Sequence, residues 1–420
     1  MSMIRRIAAI LLAAAAAALC GCTAPAPHGG EAPKSDGTGF EVFAASRLNP
    51  SAASRIEAAE AVPDMRAFTG GLYAELLAEA GTENAVCSPA SVYIALAMLA
   101  EITGGSTRDE IMTALGAKDL PALRSGVAAL LTAETADDGR TTSLIGNSVW
   151  LNKDLEYVKE PLKQLAEVYH ASSFSGDPMD DAFAEALRSW INENTGDLLK
   201  DSASSLRPGT VISLANTIYF KAGWQEKFPA DLTEDAVFHG TKGDATVPFM
   251  HNTILGGGVI EGDGFISAAL GFNEGAGEMR IFLPDEGKTP ADVMPAVMDA
   301  VFSGESGSAA LVKLAMPKFD VGADCELIPA LKAMGVNSAF GAADFEPLLG
   351  EADATVSRIA HAARVKVDEE GIEAAAYTVI TADGAMLVEK SYDIVLDRPF
   401  IFVVTGVSGA PLFIGTVNTL

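Results

Sequence analysis

An α+β (mixed) domain is the class this sequence predicts, and three observations carry that reading. Helix-period and strand-period runs interleave without the strict alternation that a doubly wound parallel sheet requires. From Pro63 to Leu420 no Pro/Gly-rich stretch marks a second linker, so one large folded unit is expected within the 420 residues. Hydrophobic residues make up 49% of the chain, which allows a sizeable core even though many are Ala and bury little area each.

The elements follow in order. Met65 to Ala80 reads as an amphipathic helix with Phe68, Leu72, Leu76 and Leu77 on one face. Ser88-Pro89 starts a second, very apolar helix through Ala100, with Pro in the first turn. Thr107 to Leu115 is a short helix whose start fits a capping box of Thr107 with Glu110. Ser143 to Asn152 reads as a strand, Asp180 to Leu199 as mainly helical, and Val211 to Lys221 as a buried strand. Strand-like runs recur at Met279–Pro284, Leu311–Val321 and Ile394–Val404, with a helix over Asp324–Met334 before Gly335.

The N-terminus is a targeting segment. Arg5 and Arg6 form its positive region, and Ile7 to Leu19 form an apolar stretch too short to span a bilayer. Leu19-Cys20-Gly21-Cys22 resembles the lipobox of bacterial lipoproteins, with Gly21 before the cut and Cys22 as the lipid anchor. Several acyl chains at roughly 0.8 kcal/mol per buried CH2 would hold the protein stably on a membrane. Thr23 after that Cys favours outer-membrane sorting in a two-membrane cell. The expected location is therefore the bacterial envelope, outside the cytoplasm. Residues 22–62 read as a flexible tether broken by Pro25, Pro27, Gly29, Gly30, Pro33, Gly37 and Gly39, with a reach of about 35 Å. The folded domain is expected over 63–420.

Charge and chemistry narrow the function. The formal charge of −27 excludes binding of nucleic acid through a basic face, and removal of residues 1–21 takes two further positive charges. Cys87 and Cys325 lie in apolar contexts and read as buried thiols rather than a bridge. No metal-ligand spacing, nucleophile elbow or P-loop occurs, and the five histidines are dispersed. Gly256-Gly257-Gly258 reads as a loop and not as a phosphate cradle. Neither a cofactor nor a catalytic role is expected.

The most informative stretch is Val367-Asp368-Glu369-Glu370-Gly371-Ile372-Glu373-Ala374-Ala375-Ala376-Tyr377-Thr378. Tyr377 to Thr381 favours a strand, yet Thr381-Ala382-Asp383-Gly384-Ala385 reads as an exposed tip. On pattern alone this is an ordinary strand and hairpin, or else a segment that joins a sheet in one state and stands free in another.

Other segments decide which. Asn84 to Val92, Ala95 to Leu99, Gly104 to Ile111, Asn147-Ser148-Val149-Trp150, Leu214 to Trp224, Met316-Pro317-Lys318-Phe319, Asp393 to Phe400 and Pro411 to Gly415 resemble, in order, the serpin family. The resemblance spans the whole folded part. It implies about nine helices around three β-sheets, and a monomer that inhibits serine proteases as a suicide substrate. The protease cuts an exposed reactive loop and forms its acyl-enzyme. The cut loop then inserts into the central sheet and drags the covalently bound protease across before it can deacylate.

Matched by motif, Glu369, Gly371, Ile372, Glu373, Ala374, Ala375 and Ala376 form the hinge. Ser88, Ser91, Asn216 and His361 form the shutter beneath the strands that part, and Trp224 marks the breach where insertion starts. Ile372 departs from the Thr or Ser more usual there, and Tyr377 is bulky. With period-two alternation Ile372, Ala374, Ala376 and Thr378 share one face. Counting fifteen residues from Gly371 puts the reactive bond at Ala385-Met386, whereas counting back from Pro399 puts it near Val388. Thr378 to Glu389 holds no Lys or Arg, so proteases with small apolar primary pockets, elastase-like or subtilisin-like, are expected rather than trypsin-like ones. Arg124 and Arg140 stand against Glu134, Asp137 and Asp138, so no glycosaminoglycan activation is expected. The alternative is a non-inhibitory serpin acting as a decoy or binding module on the envelope.

Overall fold

The computed structural model describes residues 40–196, 206, 210–341, 343–350, 354, 356, 359–372 and 390–420. The first elements are β1 (Glu41–Phe43), α1 (Ala52–Ala59), α2 (Arg66–Ala80), β2 (Ala85–Cys87), α3 (Pro89–Ile102), α4 (Gly105–Ala114) and α5 (Leu120–Glu134). Next come β3 (Ala136–Asp137), β4 (Thr141–Asn152), α6 (Lys159–Val168), β5 (Ala171–Gly176), α7 (Asp181–Asn194) and β6 (Ile212–Gly223). The chain continues through β7 (Glu234–Gly240), β8 (Gly243–Gly262), β9 (Phe265–Gly271), β10 (Glu278–Pro284), α8 (Pro290–Phe302), β11 (Ser308–Pro317) and β12 (Phe319–Glu326). It closes with α9 (Ile328–Ala333), α10 (Glu346–Leu349), β13 (Ala360–Val367), β14 (Gly371–Ile372), β15 (Ser391–Val395), β16 (Phe400–Thr405) and β17 (Pro411–Val417). The mixed α+β class is met, with ten α-helices among the described residues.

One sheet runs β1-β5-β4-β6-β14-β13-β12, and a second path runs β15-β11-β8-β9-β10-β16-β17-β2. That second path is two sheets sharing one long strand. β8 pairs with β11 and β7 along its first part and with β9 along its last. The expected loop at Gly256–Gly258 is therefore strand. The register skips Gly256, whose φ of +81° suits glycine, and a Cβ on Gly258 would meet the Ser306 carbonyl oxygen at 2.0 Å.

Helix α3 explains how the layers join. Ser88 Oγ caps it by accepting from the Ser91 N–H at 3.2 Å, Pro89 sits in its first turn, and nearly every residue is buried. It packs on β6 of the first sheet and β17 of the second, which makes it the central beam. On the opposite face of the first sheet, α7 covers β4 and β6 with a cluster of Trp150, Phe174, Phe183, Leu187, Trp190 and Ile191.

Several expectations need correction, each for a physical reason. The Leu311–Val321 run is two strands, because Pro317-Lys318 carries the chain from the second sheet (β11) to the first (β12). The Ile394–Val404 run divides likewise, with β15 parallel to β11 and β16 antiparallel to β10. Pro399, which has no N–H to donate, stands in the crossing. The helix expected over Asp324–Met334 starts only at Ile328, since β12 keeps pairing with β13 through Glu326. Thr107 does not cap α4, which begins two residues earlier; its Oγ1 accepts from the Asp344 N–H, and Glu110 accepts from Asn337 and Ser338.

The tether is the largest correction. Within the stretch read as flexible, β1 pairs antiparallel with β5, and α1, capped by Ser51, packs along α5. Phe40 lies 5.1 Å from the Phe183 ring, Arg55 Nε donates to the Ala133 carbonyl at 3.1 Å, and Pro63 rests on Gly126. Residues 40–62 thus form a strap on the domain, and 22–39 lie outside the described residues.

A buried charge ties three helices together. Glu101 on α3 is 4% exposed and accepts a bidentate pair of bonds from Arg124 on α5 and one from the Tyr169 hydroxyl beyond α6. Removing the cation strands a carboxylate in the core. Arg124→Met should therefore lower stability by about 3 kcal/mol, with Glu101→Gln added recovering part of it, as read from urea unfolding midpoints. An unchanged midpoint for the single variant would rule the pair out as a structural tie.

Candidate functional site

β6 and β13 are neighbours in the first sheet with only the two residues of β14 between them. Gly371 pairs with Gly223 and Ile372 with Ala222 on one side, and Ile372 with Val367 on the other. Below Ile372, among the described residues, no ladder joins β6 to β13. Towards the other end of these strands lies a cavity floored by α3, lined by Ser91, Leu96, Leu214, Asn216, Ile359 and His361 among others. A strand begun at one end of the gap between β6 and β13, with no further ladder between them among the described residues, is the central geometric feature of this site.

The hinge is held from every side. Gly371 has φ of +153°, and a Cβ there would come within 2.1 Å of the Ala222 carbonyl oxygen, so no other residue fits the seat without moving the strand. Asp368 N–H donates to the Gly371 carbonyl, closing a tight turn. Trp224, 1% exposed, stacks on Phe272 with centroids 5.3 Å apart. Its Nε1 donates to the Asp368 carbonyl at 2.9 Å, and its backbone N–H donates to the Glu370 carbonyl at 2.9 Å. Glu369 pairs with Lys318 at 2.8 Å and accepts from Thr233 Oγ1 at 3.0 Å, while Glu370 pairs with Lys227 at 2.5 Å. Partial burial opposes ionisation of Glu369, but the bonds from Lys318, its own backbone and Thr233 together hold its carboxyl below the usual range. Ile372, 2% exposed, faces the core, as the alternation expects for the first residue of the inserting face.

The four residues matched to the family's shutter, separated by up to 273 positions, converge where the start of α3 meets β6 and β13. His361 Nε2 accepts from the Ser88 N–H at 3.0 Å, which leaves the proton on Nδ1. Ser91 Oγ donates to Asn216 Oδ1, Asn216 Nδ2 donates to Asn147 Oδ1, and Asn147 Nδ2 donates to the Tyr169 carbonyl at 2.7 Å. Asn147 completes this relay between β4, β6 and α3, and the sequence reading left it out of the site although it sits in a matched motif. Lys318, Lys227, Thr233 and Phe272 were missed as well. Lys318 alone stood in a matched motif, whereas the others carry no local signal. Of the remaining site residues, Cys22, Glu373, Ala374, Ala375, Ala376, Ala385 and Met386 lie outside the described residues.

Comparison with known proteins decides the family. The family model "Serpin (serine protease inhibitor)" matches residues 64–420. The chain belongs to the serpin family. Serpin-ZX of Arabidopsis thaliana is 32% identical over 366 residues, covering 80% of this chain and 91% of that protein. An uncharacterized serpin-like protein of Thermococcus kodakarensis is 31% identical over 367 residues, with 84% of each chain covered. Among solved structures, the thermophilic serpin tengpin in the native state superposes with a TM-score of 0.76 at 22% identity, covering 91% of this chain and 98% of that one. Members of the family are generally serine protease inhibitors rather than enzymes.

The shutter makes this serpin's stability depend on pH. Burial pushes the His361 imidazole down from 6.5 to about 4. The unfolded chain takes up a proton near 6.5, while the folded chain holds it off until about 4. Stability from this group is complete above pH 6.5 and is lost as pH falls towards 4, by about 3 kcal/mol. Urea midpoints of the native form measured from about pH 7 to about pH 4.5 should fall more steeply for the wild type than for His361→Asn. Equal slopes would refute a neutral, buried His361.

Proposed function

We propose that this serpin is a suicide-substrate inhibitor of serine proteases with small apolar primary pockets, held on a bacterial envelope by lipid on Cys22. The observation that carries the reading is the seating of Ile372 between β6 and β13, which no other ladder joins among the described residues. The protease serine attacks the reactive bond, placed at Ala385-Met386 or up to three residues beyond it. The new amine end at Met386 is freed, with β15, β16 and β17 behind it still packed in the second sheet, while the acyl end stays esterified to the enzyme. Zipping the loop downward from Ile372 then supplies the missing strand.

The magnitudes support trapping. About 15 residues at roughly 3.3 Å each carry the protease about 50 Å. At about 0.5–1.5 kcal/mol per new hydrogen bond, with side-chain burial added, the gain is of order 10 kcal/mol, enough to disorder an active site. The small side chains of Ala374 and Ala376 enter a packed site without steric conflict.

Incubation of the mature domain with elastase, subtilisin, chymotrypsin and trypsin tests this on denaturing gels. The expected result is a denaturant-stable adduct with an elastase-like or subtilisin-like enzyme, and release of a peptide beginning at Met386. Ala374→Arg should convert adduct into turnover, since an arginine cannot follow Ile372 into the core-facing row. Cleavage of the wild type without adduct by every protease would instead establish the decoy.

A further inference from the structure

The strand registers fix where the chain's two functional ends lie relative to one another. The first sheet has a hinge pole, at Ala222 with its partners Thr141 and Ile372, and a far pole, at Ile212 with its partner Leu151. The N-terminal strap enters at the far pole. Glu41 pairs with Phe174, Phe174 with Trp150 and Trp150 with Ser213, so Glu41 is level with Ser213. That is nine residues, about 30 Å, from the hinge.

On the inhibitory reading, a strand inserting after Ile372 would run to the same pole. Gly371↔Gly223 and Ile372↔Ala222 set an antiparallel register. Continued downward, it brings Thr381 opposite Ser213 and Ala382 opposite Ile212, the last residue of β6. A chain cut after Ala385 then emerges just beyond the strand's end. In the order β1-β5-β4-β6-β14, the strap is four strand spacings from the inserted strand, about 20 Å.

Resting on the lipid-anchored, inhibitory reading above, we infer that the reactive loop stands at the pole away from the membrane and that the trapped protease is delivered to the pole where the tether leaves, into the gap between domain and bilayer. Residues 22–39 then act as a spacer whose length must accommodate the protease. A protease of some 230 residues is about 45 Å across. The eighteen steps from Cys22 to Phe40 span at most about 60 Å, sufficient to pass it. Deleting the twelve residues Pro25–Asp36 leaves six steps and about 20 Å, which is not.

The test uses the mature chain, free in solution and attached to phospholipid vesicles at residue 22, with the elastase-like or subtilisin-like enzyme that forms adduct. Three spacers are compared: natural, Pro25–Asp36 deleted, and lengthened by about twelve residues. Free in solution, all three should give the same fraction of adduct. On vesicles, the natural and lengthened spacers should trap as they do in solution. The deleted one should be cut at an unchanged rate but give at least tenfold less adduct, the remainder being released as cleaved serpin. Equal adduct from the deleted spacer on vesicles would overturn the inference and leave the inhibitory reading intact. Loss of cleavage as well as adduct would place the loop at the membrane and overturn the orientation. Absence of adduct even from the free chain would instead remove the inhibitory reading, and this inference with it.

Discussion

The absence of a ladder between β6 and β13, among the described residues, is the constraint on which the rest of this structure depends. Backbone N–H and C=O groups in the middle of a sheet must find partners or face the cost of being buried without them. Two residues of β14 meet that demand at the hinge end. The polar relay through Ser88, Ser91, Asn216, Asn147 and His361 lies where a continuous sheet would need no such device. It holds β4, β6, β13 and α3 in one arrangement. A neutral imidazole suits the task, because it can accept from the Ser88 N–H without bringing charge into the core.

The hinge shows how the first residues of a strand between β6 and β13 are held. Seating Ile372 needs the Gly371 backbone close against Ala222, and the turn at Asp368–Gly371 needs Trp224 as its platform. The ion pairs Lys318–Glu369 and Lys227–Glu370 fix the chain just before the seat. Both are partly exposed, so each contributes modestly. Their effect is geometric: they set the direction from which every later residue must enter.

Family resemblance made the fold legible and singled out Ser88, Ser91, Asn216, Trp224, His361, Glu369, Gly371 and Ile372, which the structure gathers around β6, β13 and the start of α3. Their convergence depends on β-ladders between residues far apart in sequence, which no local pattern states. Asn147 was as visible as its partners but has its role only through Asn216. The strap escaped for a different reason. Its anchors are single contacts, Phe40 on Phe183 and Arg55 on a helix-end carbonyl, in a stretch of Ala and polar residues that follows a Pro/Gly-rich segment. The merged strands at Lys318 and Pro399 misled because hydrophobic continuity records burial, and both sheets bury their strands alike. Only topology tells where the chain leaves one sheet for the other.

The same topology bears on the reactive bond, for which two counts along the sequence differ by three residues. In the register set by Ile372 and Ala222, the inserted strand runs out of β6 partner at Ala382. A cut after Ala385 leaves three residues between the last paired position and the acyl-enzyme; a cut after Val388 leaves six. Each residue of slack is worth about 3.3 Å of freedom to the protease. Distortion of the enzyme requires that it be drawn hard against the far pole, and three residues hold it within about 10 Å of the strand end where six allow about 20 Å. The longer leash would let the acyl-enzyme keep its native geometry and deacylate. On the inhibitory reading we propose, continuing this register argues for Ala385-Met386 over Val388, and the extra length of the loop would then fall after the bond, where it does not weaken the pull.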